Sequence, residues 1–404
     1  MTNEQPAPAL SKKAGQGSIW FKRLGLVFGS LLFTLALLEI AARLLHLGSG
    51  GFWEPNQTYG WQNIPNASGW ESCYGECEVY VEINPQGLRD VVHPYEKPAG
   101  VTRILFLGDS MTAGLQVPLE ATFVKVMEQR LNGGDAGEWE TINAAVNAFG
   151  TDNELIFFRE EASKYEPDIV VLSIYLANDI YNNHYQLETR LGGSGHKPYF
   201  TLDAVGGLVL NNFPVESAET FSTKFVGWLN QHFQLPRFLA QMLNLRKNVP
   251  DALKPLVELA TGNRGAEDAV QSEESGQDTG PRANICQAEY APLITEAWDI
   301  TKAIILALRA EVQASGAELV VLVIPAAPQI VVPKEGKPWY CDQPNIELDT
   351  FLDAEGIPYL DMLAGFREYA IAGGAPLYYN FDFHMNERGH ALAGELLGEY
   401  FAGR

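Results

Sequence analysis

Apolar and polar positions divide the chain into an N-terminal apolar run, an alternating body and an interruption within that body. Between positions 24 and 38 no charge breaks the run LGLVFGSLLFTLALL, and with Glu39 and Arg43 tolerated it continues to Leu47. A helix over 24–45 is long enough to cross a hydrocarbon layer of roughly 30 Å. Glu39 and Arg43, four apart, share one face of it and can pair; Arg43 can also snorkel to the interface. Downstream, apolar runs of strand length alternate with helical spacing. Residues 103–108 (RILFLG) read as a strand, 122–131 as a helix closed by Asn132-Gly133-Gly134, and 141–146 as a second short strand. Residues 152–165 place Leu155, Phe158, Ala162 and Tyr165 on one helical face. DIVVLSIY (168–175) is nearly continuously apolar, as strands buried on both faces of a parallel sheet are. A long helix over 289–315 stops at Gly316, and LVVLVI (319–324), a short strand at 357–360 and a helix at 387–401 complete the series. The alternation predicts an α/β fold, a three-layer α/β/α sandwich with a parallel sheet.

Two stretches fall outside this rhythm. Residues 46–100, rich in Gly, Pro, Asn and Trp, read as an irregular extension. Residues 185–285 read as an insertion, with a β-hairpin over 199–214 turning at Gly206-Gly207 and an apolar portion over 225–245. Within it 262–282 (GNRGAEDAVQSEESGQDTGPR) has almost no apolar residues and predicts a mobile acidic loop. The resulting organisation is a tail (1–23), an anchor (24–45), the extension (46–100), a first catalytic part (101–184), the insertion (185–285) and a second catalytic part (286–404).

Charge sharpens the picture. The 404 residues hold 28 Lys and Arg against 50 Asp and Glu, a net −22. That balance argues against nucleic acid as a partner, because phosphate contacts need clustered basic residues. Residues 1–23 nevertheless carry Lys12, Lys13, Lys22 and Arg23 against Glu4, a net +3. Positive flanking charge predicts a cytoplasmic N-terminus and a chain otherwise exported to the periplasmic or extracellular side. A cleaved signal peptide is the competing reading, which exports the same residues, and a soluble amphipathic helix is a third. All four cysteines, Cys73, Cys77, Cys286 and Cys341, lie beyond the anchor. The simplest of three pairings is Cys73–Cys77 with Cys286–Cys341, suited to an oxidising compartment. Buried free thiols are the alternative, whereas zinc lacks a histidine placed near either pair.

Candidate chemistry sits where strands end. Ser110 follows the first strand in Gly108-Asp109-Ser110, a position suited to a nucleophile but equally to an N-cap. Near the C-terminus stands Asp382-Phe383-His384, followed by a helix containing His390. In an extended segment residues i and i+2 face the same way, so Asp382 and His384 could serve Ser110 as orienting acid and base; His390 reads as structural. Oxyanion donors could come from the loop 143–151 or from Asn178 after the most apolar strand, although an Asn there also forms turns.

In order, strand–GDS–helix, INAAVNAFGTDNE, VVLSIYLAND and DFHMNERGH resemble the SGNH/GDSL hydrolase superfamily, most closely over 101–183 and 285–404. EINPQGLRD (82–90) and KPYFTLDAVGGLVLNNFPV (197–215) look like its membrane-anchored bacterial subgroup. The resemblance implies Ser110 as nucleophile, His384 as base and Asp382 as the orienting acid. It also implies oxyanion donors from the Ser110 backbone, the Asn178 side chain and a second-block backbone N–H. The second-block glycine aligns best with Ala148, which would serve if its φ is negative, with Gly150 as the fallback. Asp109 belongs to the turn. The implied activity is a membrane-anchored, extracytoplasmic serine esterase acting on a small-molecule or polysaccharide ester through an acyl-enzyme, without metal or organic cofactor. An O-acyltransferase acting on an extracytoplasmic polysaccharide would use the same residues, and a non-catalytic binding protein on this fold is the third reading.

Overall fold

The computed structural model describes residues 16–48, 50–73, 75–134, 138–190, 193, 195–216, 221–239, 242, 285–333 and 340–404. The predicted acidic loop 262–282 and most of the tail lie outside the described residues. The apolar run forms helix α1 (Gln16–Leu44), whose span Trp20–Leu44 contains a window of mean hydropathy 2.1 with none of it buried. Arg43 Nε pairs with Glu39 Oε1 at 2.7 Å, the contact their spacing predicts.

The extension is more ordered than its composition suggests. Strands β1 (Trp53–Asn56) and β2 (Gly60–Asn63) pair antiparallel, as do β3 (Ser68–Ser72) and β4 (Glu78–Glu82). The β3–β4 hairpin buries Val79 and Val81 with Phe52, Ile83 and Leu115. Cys73 and Cys77 join across its tip, their Cα atoms 4.9 Å apart.

The body then alternates. Strand β5 (Val101–Leu107) is followed by α2 (Ser110–Ala113), α3 (Phe123–Asn132) and β6 (Glu138–Asn143). Next come α4 (Thr151–Glu160), β7 (Ile169–Tyr175), α5 (Asp179–Asn182) and α6 (Tyr185–Arg190). The second strand begins and ends three residues earlier than predicted; beyond it Ala144 N and Val146 N still donate to Phe106 O (2.9 Å) and Gly108 O (3.1 Å) as the chain enters the loop. The insertion supplies the hairpin of β8 (Tyr199–Leu202) and β9 (Leu208–Asn211), turning through Gly206 at φ 83°, and helix α7 (Phe221–His232). The chain ends with α8 (Pro292–Ala314), β10 (Glu318–Ile324), α9 (Gln343–Glu355), β11 (Tyr359–Asp361), α10 (Leu363–Ile371) and α11 (Glu387–Ala402). Cys286 and Cys341 join the starts of α8 and α9 at a Cα separation of 4.7 Å.

Five strands form one parallel sheet in the order β11-β10-β7-β5-β6. Side chains alternate between its faces with a period of two. Leu105, Leu107, Val170, Leu172, Val321 and Val323 pack beneath α4, α8 and α9. Ile104, Phe106, Val171, Val320, Leu322 and Ile324 pack beneath α3, α10 and α11. The molecule is therefore a three-layer α/β/α sandwich. The order reverses at β5, with β6 on one side and β7 on the other, which opens a crevice beyond the carboxyl ends of these strands.

Candidate active site

Three loops enter that crevice, one from each of the adjacent strands β6, β5 and β7. After β5, Gly108 is required by space: a Cβ there would lie 2.3 Å from Thr112 Oγ1 and 3.2 Å from Ser173 Cβ. The tight turn lets buried Asp109 cap α2, its Oδ1 accepting from Met111 N at 2.8 Å. Ser110 is the first residue of α2. The far end of this short helix is held by Arg89, whose buried guanidinium donates to Ala113 O (2.7 Å), Gly114 O and Val117 O. Asp90 accepts Asn143 N at 2.7 Å and pairs with Lys125 Nζ at 2.8 Å, fixing the end of β6. Sequence reasoning noticed the segment containing Arg89 and Asp90 but found no role for either. The hydrogen bonds span 24 to 53 residues, and no local pattern encodes them.

Asp382 and His384 arrive from before α11. Asp382 Oδ1 accepts from His384 Nδ1 at 2.6 Å, which leaves Nε2 to accept from Ser110 Oγ at 2.8 Å. The two side chains meet through a turn, not through the extended alternation the sequence suggested: Phe383 between them sits at φ 64°. Burial by itself would lower the His384 pKa, but the carboxylate on Nδ1, with Asp109 nearby, raises it above the ordinary histidine value. His390 is buried, accepts from Phe123 N through Nδ1 at 3.2 Å and stacks on the Phe123 ring. Burial depresses its pKa to about 3, so it stays neutral in the core.

Asn178 follows β7 at the N-cap position of α5, with no capping hydrogen bond from its side chain. Its Nδ2 donates to Asp109 Oδ2 at 2.7 Å, tying the third loop to the first. Burial raises the Asp109 pKa, and this hydrogen bond works against the rise. In the second loop, exposed Ala148 occupies the left-handed region at φ 62°, so the condition of a negative φ is not met. An L-residue is disfavoured there by contact of its Cβ with the following carbonyl, which is why glycine suits the position. Gly150 does not serve as the fallback: it is buried and its N–H donates to Asn153 Oδ1 at 3.3 Å.

A cavity of about 290 Å³ adjoins Ala148, lined also by Trp61, Asn182, Glu188, Gly193 and Lys197. Lys197, from the insertion, is buried and donates to Asp152 Oδ1 (2.7 Å) and Asn153 Oδ1 (2.9 Å). Around it burial pushes the carboxyl pKa values of Asp152, Glu154, Asp179 and Glu188 upward. Asp179 and Glu154 feel neighbouring carboxylates as well, and neither oxygen of Glu154 has a hydrogen-bond partner among the described residues. No described group of His, Cys, Asp and Glu has a spacing that could hold a metal ion.

No family model matches the sequence, and no curated protein does. Among solved structures, the chain is similar to the psychrotrophic esterase EstA from Pseudoalteromonas sp. (12% identity over 75% of this chain and 97% of that one, TM-score 0.36). It is similar to the acetyl xylan esterase AlAXEase (11% identity, 74% and 98% covered, TM-score 0.37). It is also similar to a catalytic mutant of Axe2, an acetylxylan esterase from Geobacillus stearothermophilus (10% identity, 75% and 94% covered, TM-score 0.36).

Proposed function

We propose that this chain is a serine ester hydrolase of the SGNH/GDSL type, tethered to a membrane with residues 46–404 on the extracytoplasmic side. One observation carries the reading: the unbroken Ser110–His384–Asp382 chain of hydrogen bonds at 2.8 and 2.6 Å, which joins Ser110 to a pair 272 and 274 residues further along the chain at the crevice of the sheet. Ser110 Oγ attacks the ester carbonyl carbon while its proton passes to His384 Nε2. Asp382 steadies the resulting imidazolium, in keeping with the raised His384 pKa. The tetrahedral oxyanion is stabilised by the Ser110 N–H and the Asn178 Nδ2 proton not engaged by Asp109. Collapse releases the alcohol, which takes the proton from His384 and leaves Ser110 acylated. Water, deprotonated by His384, then frees the acid and restores the hydroxyl.

The cavity beside Ala148 favours a hydroxylated alcohol, such as a sugar unit of a polysaccharide ester. It adjoins the second loop at Ala148 and is lined by the Trp61 indole and the polar side chains of Asn182 and Glu188. The tether reading rests on the exposed apolar face of α1, the basic residues before it and the two cysteine bridges beyond it.

The test uses full-length protein in detergent with p-nitrophenyl acetate. Ser110→Ala and His384→Ala lose at least about 10³-fold in kcat, and Asn178→Ala about 10²–10³-fold with KM little changed. A Ser110→Ala variant that turns over as fast as wild type refutes the reading.

A further inference from the structure

The segment bearing Asp382 and His384 is poorly held by apolar packing. Phe381 and Phe383 point outward, 50% and 59% exposed, and Phe383 takes a left-handed backbone conformation. Its stem is closed by Tyr379 N donating to His384 O at 2.9 Å and by the Tyr378–Met385 bridge. The rest of the turn hangs on one side chain from far away in sequence. Glu76 Oε1 accepts from Asn380 N (2.8 Å) and Asn380 Nδ2 (3.1 Å). Glu76 Oε2 accepts from Phe381 N (2.7 Å) and Asp382 N (3.3 Å). One carboxylate therefore gathers three consecutive backbone amides, the last of them that of Asp382. Burial opposes ionisation of Glu76, but these donors outweigh it and hold its pKa below the usual carboxylate value, so the group is charged at neutral pH.

Glu76 is itself positioned by covalent closure. It sits in the tip closed by Cys73 and Cys77, with Glu76 N donating to Cys73 O at 2.8 Å and Cys73 N to Cys77 O at 3.2 Å. The root of the same hairpin packs on Leu115, just after the helix that Ser110 begins. The hairpin thus spans the site, its base against the nucleophile's side and its tip on the acid–base turn.

Resting on the hydrolase reading above, we propose that Glu76 is a positioning residue for Asp382 and His384, and that the Cys73–Cys77 bond holds it in place, so that reduction of this bond slows the enzyme. Losing the carboxylate lets the Asp382 backbone drift, which weakens the Asp382–His384 contact before it disturbs the core.

The experiment measures kcat, KM and the pH profile of ester hydrolysis for full-length wild type, Glu76→Gln, Glu76→Ala and Cys73→Ser/Cys77→Ser. Each is also titrated at Ser110 with a fluorophosphonate probe. Glu76→Ala should lower kcat by about 10²-fold with KM within about two-fold. Glu76→Gln, which keeps one acceptor oxygen, should fall between it and wild type. In both, the acid limb of kcat/KM should move to lower pH as His384 loses the carboxylate that raises its pKa, while the labelled fraction stays complete. The serine pair should resemble Glu76→Ala, and combining the two changes should add little. Wild-type kcat and an unmoved acid limb in Glu76→Ala overturn the proposal. A reduced labelled fraction with an unmoved limb overturns it too, because that assigns Glu76 a folding role only. Wild-type protein that takes no label at Ser110 refutes the hydrolase reading itself, a separate outcome.

Discussion

Ala148 illustrates how a single backbone angle links stability to the site. At φ 62° it occupies a conformation costing an L-residue roughly 1–2 kcal/mol, whereas glycine accepts it at an entropic cost of about 0.5–1 kcal/mol. Ala148→Gly should therefore raise the melting temperature by about one degree, and a scan in detergent checks it; lower stability would mean the angle relaxes in solution. Residue types were readable here, but their backbone angles were not. Ser110 and Asn178 stood out as polar residues just after buried strands, and Asp382 and His384 as an acid and a base two apart before the last helix. The turn through Phe383 depends on neighbours that no local pattern announces, whereas the engagement of Gly150 by Asn153, three residues on at the start of α4, is a local contact that went unread.

Elements were legible in proportion to their burial. DIVVLSIY and LVVLVI declared themselves as strands because a parallel sheet covered on both faces tolerates no polar alternation. The β3–β4 hairpin escaped notice, although Glu78–Glu82 alternates exposed and buried residues, because its strands are only five residues long and β3 carries Gly69 among polar residues. That hairpin carries a second acid, Glu71 on β3, with Oε2 lacking a partner among the described residues. Burial, reinforced by Asp382, raises its pKa to about 7 from 4.5. Between those pH values the folded chain keeps a proton that the unfolded chain has lost, so stability falls as pH rises, by on the order of 3 kcal/mol. In Glu71→Gln this contribution vanishes. The loss of melting temperature between pH 5 and pH 8 should shrink relative to wild type, and an equal loss in both proteins would remove Glu71 from the account.

At the scale of the whole molecule, the extension and the insertion are tied to the sandwich and to α1. Glu39 accepts from Gln234 N (3.1 Å) and Leu235 N (2.9 Å), and Arg43 donates to His232 O at 2.8 Å. Gly48 makes this junction sterically feasible, since a Cβ there would fall 2.4 Å from Gln234 O. Lys197 supplies the complementary tie on the side of the sheet. Truncating it in Lys197→Met leaves Asp152 buried without its cation, and should destabilise the fold by about 3–5 kcal/mol, read from thermal melts at neutral pH; a shift of under a degree would show that Asp152 is already protonated there. The position of Lys197 also bears on modularity. A segment that reads as a detachable interruption of an α/β domain contributes the counter-charge on which the domain's own acidic interior depends. Splicing it out to obtain a minimal enzyme would therefore fail unless Asp152 and Glu154 were replaced at the same time, and a homologue that lacks the segment should carry neutral residues at those two positions.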